Sequence, residues 1–597
     1  MDSTDFPPPD WRAEPVEGPI DDSLSWGSDI PAAMLRRLGI PFIALTPGAS
    51  YRGLHDSLVN HLGNERPEML VCLHEEHAVA IAHGYAKATG RAMAVALHSN
   101  VGLMHGTMAI FNAFADRAPM LILGATGPMD ATERRPWIDW LHTTQDQAAL
   151  VRHFIKWDDQ PASALATPEA MLRGWKAANT APGGPVYINL DASDQEAPLP
   201  AGTTLPDPAR YAPPADTAPD PDALDRAVAA ISRAARPVLL FGRGARTEAA
   251  MDARVALAER LGAPMLSDLK TGAMVPTTHP LHAGPPFNKL SAPARAVLEE
   301  ADLIVSLGWT DLGGLLKQAY GTPPDHVAIV HASLDHQLHS GWNQEHFALP
   351  PVDVELAVSS DSAVAALLAA LPEGAPRRPA MPEVAPPAEG DGTTLTNRDV
   401  ARALKTAADG QPITFSALAR GFPVDILPHT HPLDYLGKDG GGGIGSGPGL
   451  TIGAALALRD SGRLVVGSLG DGDTLMSINA LWTAAKYRIP ALFLVANNRS
   501  YFNDELHQEN VARVRGRNPA NAWVGQRIDG PAPDLAALAR GQGVEAIGPV
   551  TDLAGLEVAM QSAVATLRAG RPCLVDVHID PRQGREKEVK RNTKGAA

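Results

Sequence analysis

Short apolar runs of strand length alternate with helical stretches along much of this chain. Between about residues 28 and 195 the runs are 42–45, 69–73, 93–97 and 120–123, and helical segments separate them. Unbroken apolar runs suit strands covered on both faces, and their alternation with helices predicts a doubly wound parallel sheet. Each run stops at small or polar residues: Thr46-Pro47-Gly48, His74-Glu75, His98-Ser99 and Gly124. In such a sheet all strand ends point to one edge, so these four loops face one crevice. A second block, 224–372, carries runs at 238–241, 303–307 and 327–330; a third, 394–580, carries runs at 464–469 and 491–496. Proline-dense stretches at 198–223 and 373–393 read as linkers. The expected organisation is an N-terminal arm (1–27), three α/β domains with doubly wound parallel sheets (28–197, 224–372, 394–580) and a basic tail (581–597). The first and third blocks have similar layouts, and no short-period repeat is present.

Composition narrows the function classes. A chain of 597 residues is too long for one core and fits about three domains. With 45% apolar and 20% charged residues it is globular. A net charge of −16 argues against a nucleic-acid partner, which needs a basic face. Two cysteines, Cys72 and Cys573, rule out a disulfide scaffold. The first residues are acidic and proline-rich, unlike a signal peptide, and no apolar run approaches the roughly 18 residues of a membrane span. A cytoplasmic protein acting on small molecules, with no membrane partner, is expected.

The richest stretch is 463–502, RLVVGSLGDGDTLMSINALWTAAKYRIPALFLVANNRSYF. It reads as strand, loop, helix, strand, loop, with Leu475, Met476, Ile478, Leu481, Trp482 and Ala485 at helical spacing. Parallel strands bring the two loops together, placing the Asp471 carboxylate beside the Asn498 carboxamide. Mg²⁺ takes oxygen ligands and completes its shell with phosphate and water. Asp471, Asn498 and a main-chain carbonyl near Ser500 offer such oxygens. Gly470 and Gly472 let backbone N–H groups approach an anion, and the following helix adds its positive end.

This Gly470-Asp471-Gly472 with Asn497-Asn498 at its distance resembles the cofactor motif of thiamine diphosphate (ThDP) enzymes of the decarboxylase and acetolactate-synthase family. Asp473 departs from it, standing where the family usually has Ser or Thr. It is counted with the cofactor-binding set and expected to cap a helix starting at Thr474. The segment HEEHAVAIAHGYAKATGR resembles the family's pyrimidine-domain segment, and Glu75 matches the activating glutamate, which bonds the pyrimidine ring nitrogen. Alone, Glu75 would read as a helix-terminal carboxylate stabilised by about 0.3–1 kcal/mol; beside the cassette the catalytic role is preferred. LHS at 97–99 resembles the benzoylformate-decarboxylase branch, in which the histidine transfers protons at the reacting carbon, a role suited to imidazole. His98 is therefore the second catalytic candidate, whereas His77 and His105 are expected on helix faces away from the reaction centre. The run Gly440 to Gly449 resembles the family's glycine-rich turn, with Ile444 as the aliphatic wedge beneath the cofactor, and Gly48 joins the cofactor set.

The resemblance implies three domains, pyrimidine-binding, middle and diphosphate-binding, and bound ThDP and Mg²⁺. It also implies a homodimer or homotetramer with shared active sites, the glutamate coming from one subunit and the metal cassette from the other. The reaction implied is C–C bond cleavage or formation next to a carbonyl, on a 2-oxo acid or other carbonyl substrate, by a decarboxylase or carboligase. The alternatives are an acetolactate-synthase-type transferase, a 2-hydroxyacyl-CoA lyase or oxalyl-CoA decarboxylase, and a ThDP-binding protein without catalysis. In the middle block FGRGAR invites a dinucleotide reading that helix–strand packing explains as well. LHAGPPFNK departs from the flavin-binding relatives, so FAD is compatible but not predicted, and a CoA or ADP group is equally open. Tyr51, Asn100, Met104, Trp309, Tyr501 and Phe502 are candidate pocket residues, and no arginine is assigned to a substrate carboxylate.

Overall fold

A computed structural model describes residues 14–20, 23–268, 270–284, 290–322, 324–337, 349–373, 381–382, 392–419, 421–438 and 440–580. The basic tail and most of the N-terminal arm and second linker lie outside the described residues. Three parallel sheets organise the chain. The first comprises β1 (Phe42–Leu45), β2 (Glu68–Val71), β3 (Met93–Leu97), β4 (Met120–Thr126), β5 (Trp157–Asp159) and β6 (Pro185–Asp191), in the order β2-β1-β3-β4-β6-β5. The second comprises β7 (Pro237–Phe241), β8 (Met265–Ser267), β9 (Leu303–Leu307), β10 (Ala328–Ala332) and β11 (Val354–Leu356), in the order β11-β10-β9-β7-β8. The third comprises β12 (Ile413–Ala417), β13 (Leu464–Gly470), β14 (Ala491–Asn497), β15 (Glu545–Val550) and β16 (Cys573–His578), in the order β12-β13-β14-β16-β15.

The apolar runs are unbroken because both faces of each sheet are covered. In the second sheet alternate residues divide between two cores: Leu239, Phe241, Val305 and Leu307 pack on one face, Val238, Leu240 and Ile304 on the other. In the first, Ile43, Leu45, Ala94, Ala96, Leu121 and Leu123 pack with Ile30, Met34 and Leu35 of the helix Asp29–Arg37. Side chains of successive strand residues point to opposite faces, so this segregation follows from the pleat.

The chain forms two compact units. One holds the first two sheets, within 12–385, together with 428–442; the other holds the third, within 386–427 and 443–597. The segment 428–442, from the third block, is tied into the first unit by main-chain carbonyls: Lys87 Nζ donates to Gly437 O at 3.0 Å and Arg246 Nη2 to Leu436 O at 2.8 Å. Among the described residues no helix is long and apolar enough to cross a membrane.

Candidate active site

In the first sheet the winding reverses between β1 and β3. Ligands of open α/β sheets bind at such a point, outside the carboxyl ends of the strands. Here those ends deliver Gly48, Glu75 and His98. Gly48 lies so close to the His98 ring that a Cβ would stand 2.3 Å from its Cγ, which only glycine tolerates. The ring is held by Ser50, a residue the sequence did not single out. Ser50 Oγ lies 2.9 Å from His98 Nδ1, and the Ser50 N–H donates to the same nitrogen at 3.4 Å. Ser99 N–H in turn donates to Ser50 Oγ at 3.1 Å. A backbone N–H can only donate, so Nδ1 accepts and the neutral ring carries its proton on Nε2. Burial, and then His142 packed at right angles 4.8 Å away, lower the His98 pKa, with Glu75 opposing. Ser99 follows at φ +45°, an unusual conformation for a side-chain-bearing residue and one that clusters at functional sites.

Glu75 opens the helix Glu75–Thr89 and is buried at 7% exposure. Its Oε2 lies 2.9 Å from Nδ1 of His105, on the facing helix Ser99–Ala115. His105 does sit on a helix face, and that face meets Glu75, the catalytic candidate. His77 is buried, with burial and then His74 pushing its pKa down to about 4. Gly102 joins the two catalytic candidates. Its N–H donates to His98 O at 2.7 Å, and its missing Cβ leaves room for Glu75 Oε1, which would otherwise lie 3.1 Å from it. Tyr51 is buried with its ring edge-on to His98 at 6.5 Å, and Asn100 donates to Leu141 O at 3.0 Å. Met104 is exposed.

The tip of the third sheet follows from register. Gly470 pairs with Ala496, so Asp471 and the Asn497-Asn498 pair leave the sheet side by side. Ser500 N–H donates both to Asp471 Oδ2 and to Asn498 Oδ1, each at 3.0 Å, so the two oxygens converge on one hydrogen. Asn497 has a different task, donating to Asp576 Oδ1 on β16 at 2.9 Å. The Ser500 hydroxyl donates to Glu505, and the ligand expected from residue 500 is its main-chain carbonyl. Burial pushes the Asp471 carboxyl up to about 6, and the groups that oppose the shift are backbone N–H groups of Gly472, Asp471, Ser500 and Arg499. A buried carboxylate stabilised by amides, next to a carboxamide oxygen, fits a divalent cation.

The glycines here have distinct reasons. A Cβ on Gly472 would stand 2.6 Å from the Tyr501 ring, whereas Gly470 has nothing within 4 Å and so opens onto free space. Asp473 does not cap a helix at Thr474. The helix begins at Asp471 and ends at Met476, a second runs Ala480–Lys486, and the single helix expected from the periodicity is broken between them. The Asp473 carboxylate instead accepts from Gly445 N–H at 2.6 Å and Gly447 N–H at 3.4 Å. Ser477, at the break, donates its hydroxyl to Gly445 O. Both pin the loop that presents Ile444, a half-exposed aliphatic side chain. Tyr501 and Phe502 lead into the helix Phe502–Val514.

A cavity of about 760 Å³ opens at the carboxyl ends of the second sheet, lined among others by Lys87, Asp116, Arg243, Arg246, Asp268 and Trp309. Its volume is that of a small-molecule site. The glycines of FGRGAR are explained by packing: a Cβ on Gly242 would strike Gly308 O, and one on Gly244 would stand 2.2 Å from Arg254 Nη2. Trp309 thus belongs to this cavity.

Three family descriptions match in order: the thiamine pyrophosphate enzyme N-terminal TPP binding domain over residues 25–150, the central domain over 224–349 and the C-terminal TPP binding domain over 419–577. The chain belongs to the thiamine pyrophosphate enzymes. This ThDP enzyme is 28% identical over 522 residues to benzoylformate decarboxylase of Pseudomonas aeruginosa, covering 85% of this chain and 90% of the relative. It is 26% identical over 582 residues to the acetolactate synthase large subunit of Parasynechococcus marenigrum, covering 91% and 86%. Its fold matches the crystal structure of benzoylformate decarboxylase from Polynucleobacter necessarius with a TM-score of 0.75 at 21% identity, covering 93% of this chain and 98% of the other.

Proposed function

We propose that this ThDP enzyme is a Mg²⁺-dependent 2-oxo acid decarboxylase or carboligase that breaks or forms a C–C bond next to a carbonyl. The observation that carries the reading is one sheet edge holding a buried carboxyl, Glu75, and an imidazole, His98, whose proton is on Nε2. Bound ThDP supplies a carbon nucleophile and an electron sink for the bond that breaks. Glu75 would hydrogen-bond the pyrimidine nitrogen. Asp471, Asn498 and the main-chain oxygen of residue 500 would hold Mg²⁺, Gly470 and Gly472 would offer amide N–H groups to the diphosphate, and Ile444 would support the rings. Asp473 belongs to this set through the loop it holds. His98, having first taken up a proton from solvent at Nδ1, would give the Nε2 proton of the imidazolium to the substrate carbon and return to the neutral ring, yielding an aldehyde; a second carbonyl compound in place of that proton would yield an acyloin.

Support for this division of labour comes from the likeness to benzoylformate decarboxylase over most of both chains. The active assembly in this reading is a homodimer or homotetramer, with Glu75 from one subunit and the Asp471 cassette from another. A transferase of acetolactate-synthase type is the second reading, supported by the relatives so named. The test is a panel of 2-oxo acids, with and without acceptor aldehydes, supplied with ThDP and Mg²⁺ and followed by product identification. Aldehyde or acyloin from a bulky 2-oxo acid supports the first reading, acetolactate from pyruvate the second. No turnover of any 2-oxo acid, with ThDP bound, overturns both.

A further inference from the structure

Three groups that hold protons or metals meet beside β2 and outside the roles given above: His74, His105 and the second oxygen of Glu75. Their ligand-type atoms lie within 4.8 Å of one another. Two histidines and a carboxylate have the composition of a transition-metal site, but their geometry is that of a hydrogen-bonded cluster. The His74 and His105 rings are stacked, 4.8 Å between centroids and 20° between planes, so their lone pairs lie in nearly parallel planes and do not converge. Both Nδ1 atoms are also engaged, His74 accepting from Glu76 N–H at 3.2 Å and His105 meeting Glu75 Oε2 at 2.9 Å.

We propose that His105 is a positioning residue for Glu75, holding Oε2 through Nδ1–H so that Oε1 is the oxygen presented to the cofactor's pyrimidine ring. This rests on the reading of Glu75 as the activating carboxyl. The two oxygens of a carboxyl are equivalent until something distinguishes them. A donor fixed on Oε2 makes that oxygen the acceptor, so an acidic proton resides on Oε1. Gly102 leaves Oε1 its space, since a Cβ there would stand 3.1 Å from it. His74 supports the arrangement by stacking on the outer face of His105, and burial, together with His105 itself, lowers the His74 pKa. The other titratable groups that act on this corner are His77, which packs on His74, and Tyr51 and His98, which both sense the Glu75 charge. The His105 side chain is 58% exposed while that of Glu75 is 9% exposed, so trimming His105 removes a tether and not a piece of core.

The test follows hydrogen–deuterium exchange at C2 of ThDP bound to the full-length protein with Mg²⁺, by acid quench and NMR, with ThDP affinity from calorimetry. Glu75→Gln is the reference for loss of activation. His105→Ala is expected to slow exchange by about tenfold or more, the scale of one hydrogen bond to a charged group, while ThDP affinity stays within about threefold. His105→Asn, which keeps an N–H donor, is expected to recover most of the rate. Exchange in His105→Ala within about twofold of wild type, alongside a crippled Glu75→Gln, overturns the proposal alone. Unchanged exchange in Glu75→Gln overturns the Glu75 reading and the proposal with it. An equal loss in His105→Ala and His105→Asn also overturns it, since a donor would then be irrelevant.

Discussion

The tips of the first and third sheets use the same backbone devices for different chemistry. Each has parallel strand ends, one residue with a side chain in the left-handed region (Ser99 at φ +45°, Arg499 at φ +56°), and one glycine that admits an aromatic ring too closely for any Cβ, Gly48 at His98 and Gly472 at Tyr501. The side chains then diverge. The first tip gathers groups that hold and pass protons: Glu75, His98, His74 and His105. The third gathers oxygens and amide hydrogens, Asp471, Asn498 and the Ser500 N–H, a set suited to ions in the function proposed. Similar scaffolds therefore say little about chemistry, which resides in a few residues at strand ends.

The sharpest way to break this comparison is to disable each tip in turn. Glu75→Gln is expected to lower turnover by roughly 10²–10⁴-fold, the range for acid–base groups, with ThDP still bound in calorimetry. Asp471→Ala is expected to abolish Mg²⁺-dependent ThDP binding itself. If both variants lose binding alike, the division between proton handling and ion holding is wrong. His98→Ala comes next, slowing aldehyde formation by about 10²-fold; a variant that forms aldehyde at the original rate removes His98 from the mechanism.

Smaller effects sharpen the picture. In Gly447→Ala the new Cβ would stand 2.1 Å from Asp473 Oδ2, and overpacking of this kind costs about 1–3 kcal/mol. Thermal melts should show that loss, and adding Asp473→Ala should relieve part of it, because the clash and its partner vanish together. The mildest expectation concerns acid. His77, His282 and His429, all in the unit holding the first two sheets, are pushed down by burial to about 4 from an ordinary 6.5. Below 6.5 the unfolded chain takes up protons that the folded unit refuses, so the stability these residues contribute is full above 6.5 and lost progressively towards pH 4. In the other unit burial raises the Asp471 and Asp576 pKa values, an effect of opposite sign. Amide hydrogen exchange, corrected for its intrinsic pH dependence, should rise first in the unit with the first two sheets as pH falls from 7 to 5. Earlier opening of the third-sheet unit would contradict this.

Much of the fold was legible in the pattern. The runs 42–45, 93–97 and 303–307 are strands with those bounds, and 69–73 is a strand displaced to Glu68–Val71. The strands β5 (Trp157–Asp159) and β15 (Glu545–Val550) escaped because they lie at sheet edges and are incompletely buried. The β8 strand (Met265–Ser267) has only three residues. By contrast β6 (Pro185–Asp191) and β16 (Cys573–His578) are buried along most of their length, and their apolar residues are a signal the sequence does carry. The helical spacing over 475–485 was real, but it concealed the break at which Ser477 turns to Gly445.

By itself the sequence determined which segments are buried and what chemical groups stand at their ends, because burial imprints a local period and motif spacing is local too. It placed Asp471 level with Asn498, since parallel strands joined by one crossover leave few registers. Only the tertiary structure decided the partners: His105 on Glu75, Ser50 on His98, Asp473 on Gly445. Each joins residues about thirty to fifty positions apart, and whether such groups meet depends on how two elements are rotated and offset against each other. That rotation is set by packing of the whole core, which no local pattern records.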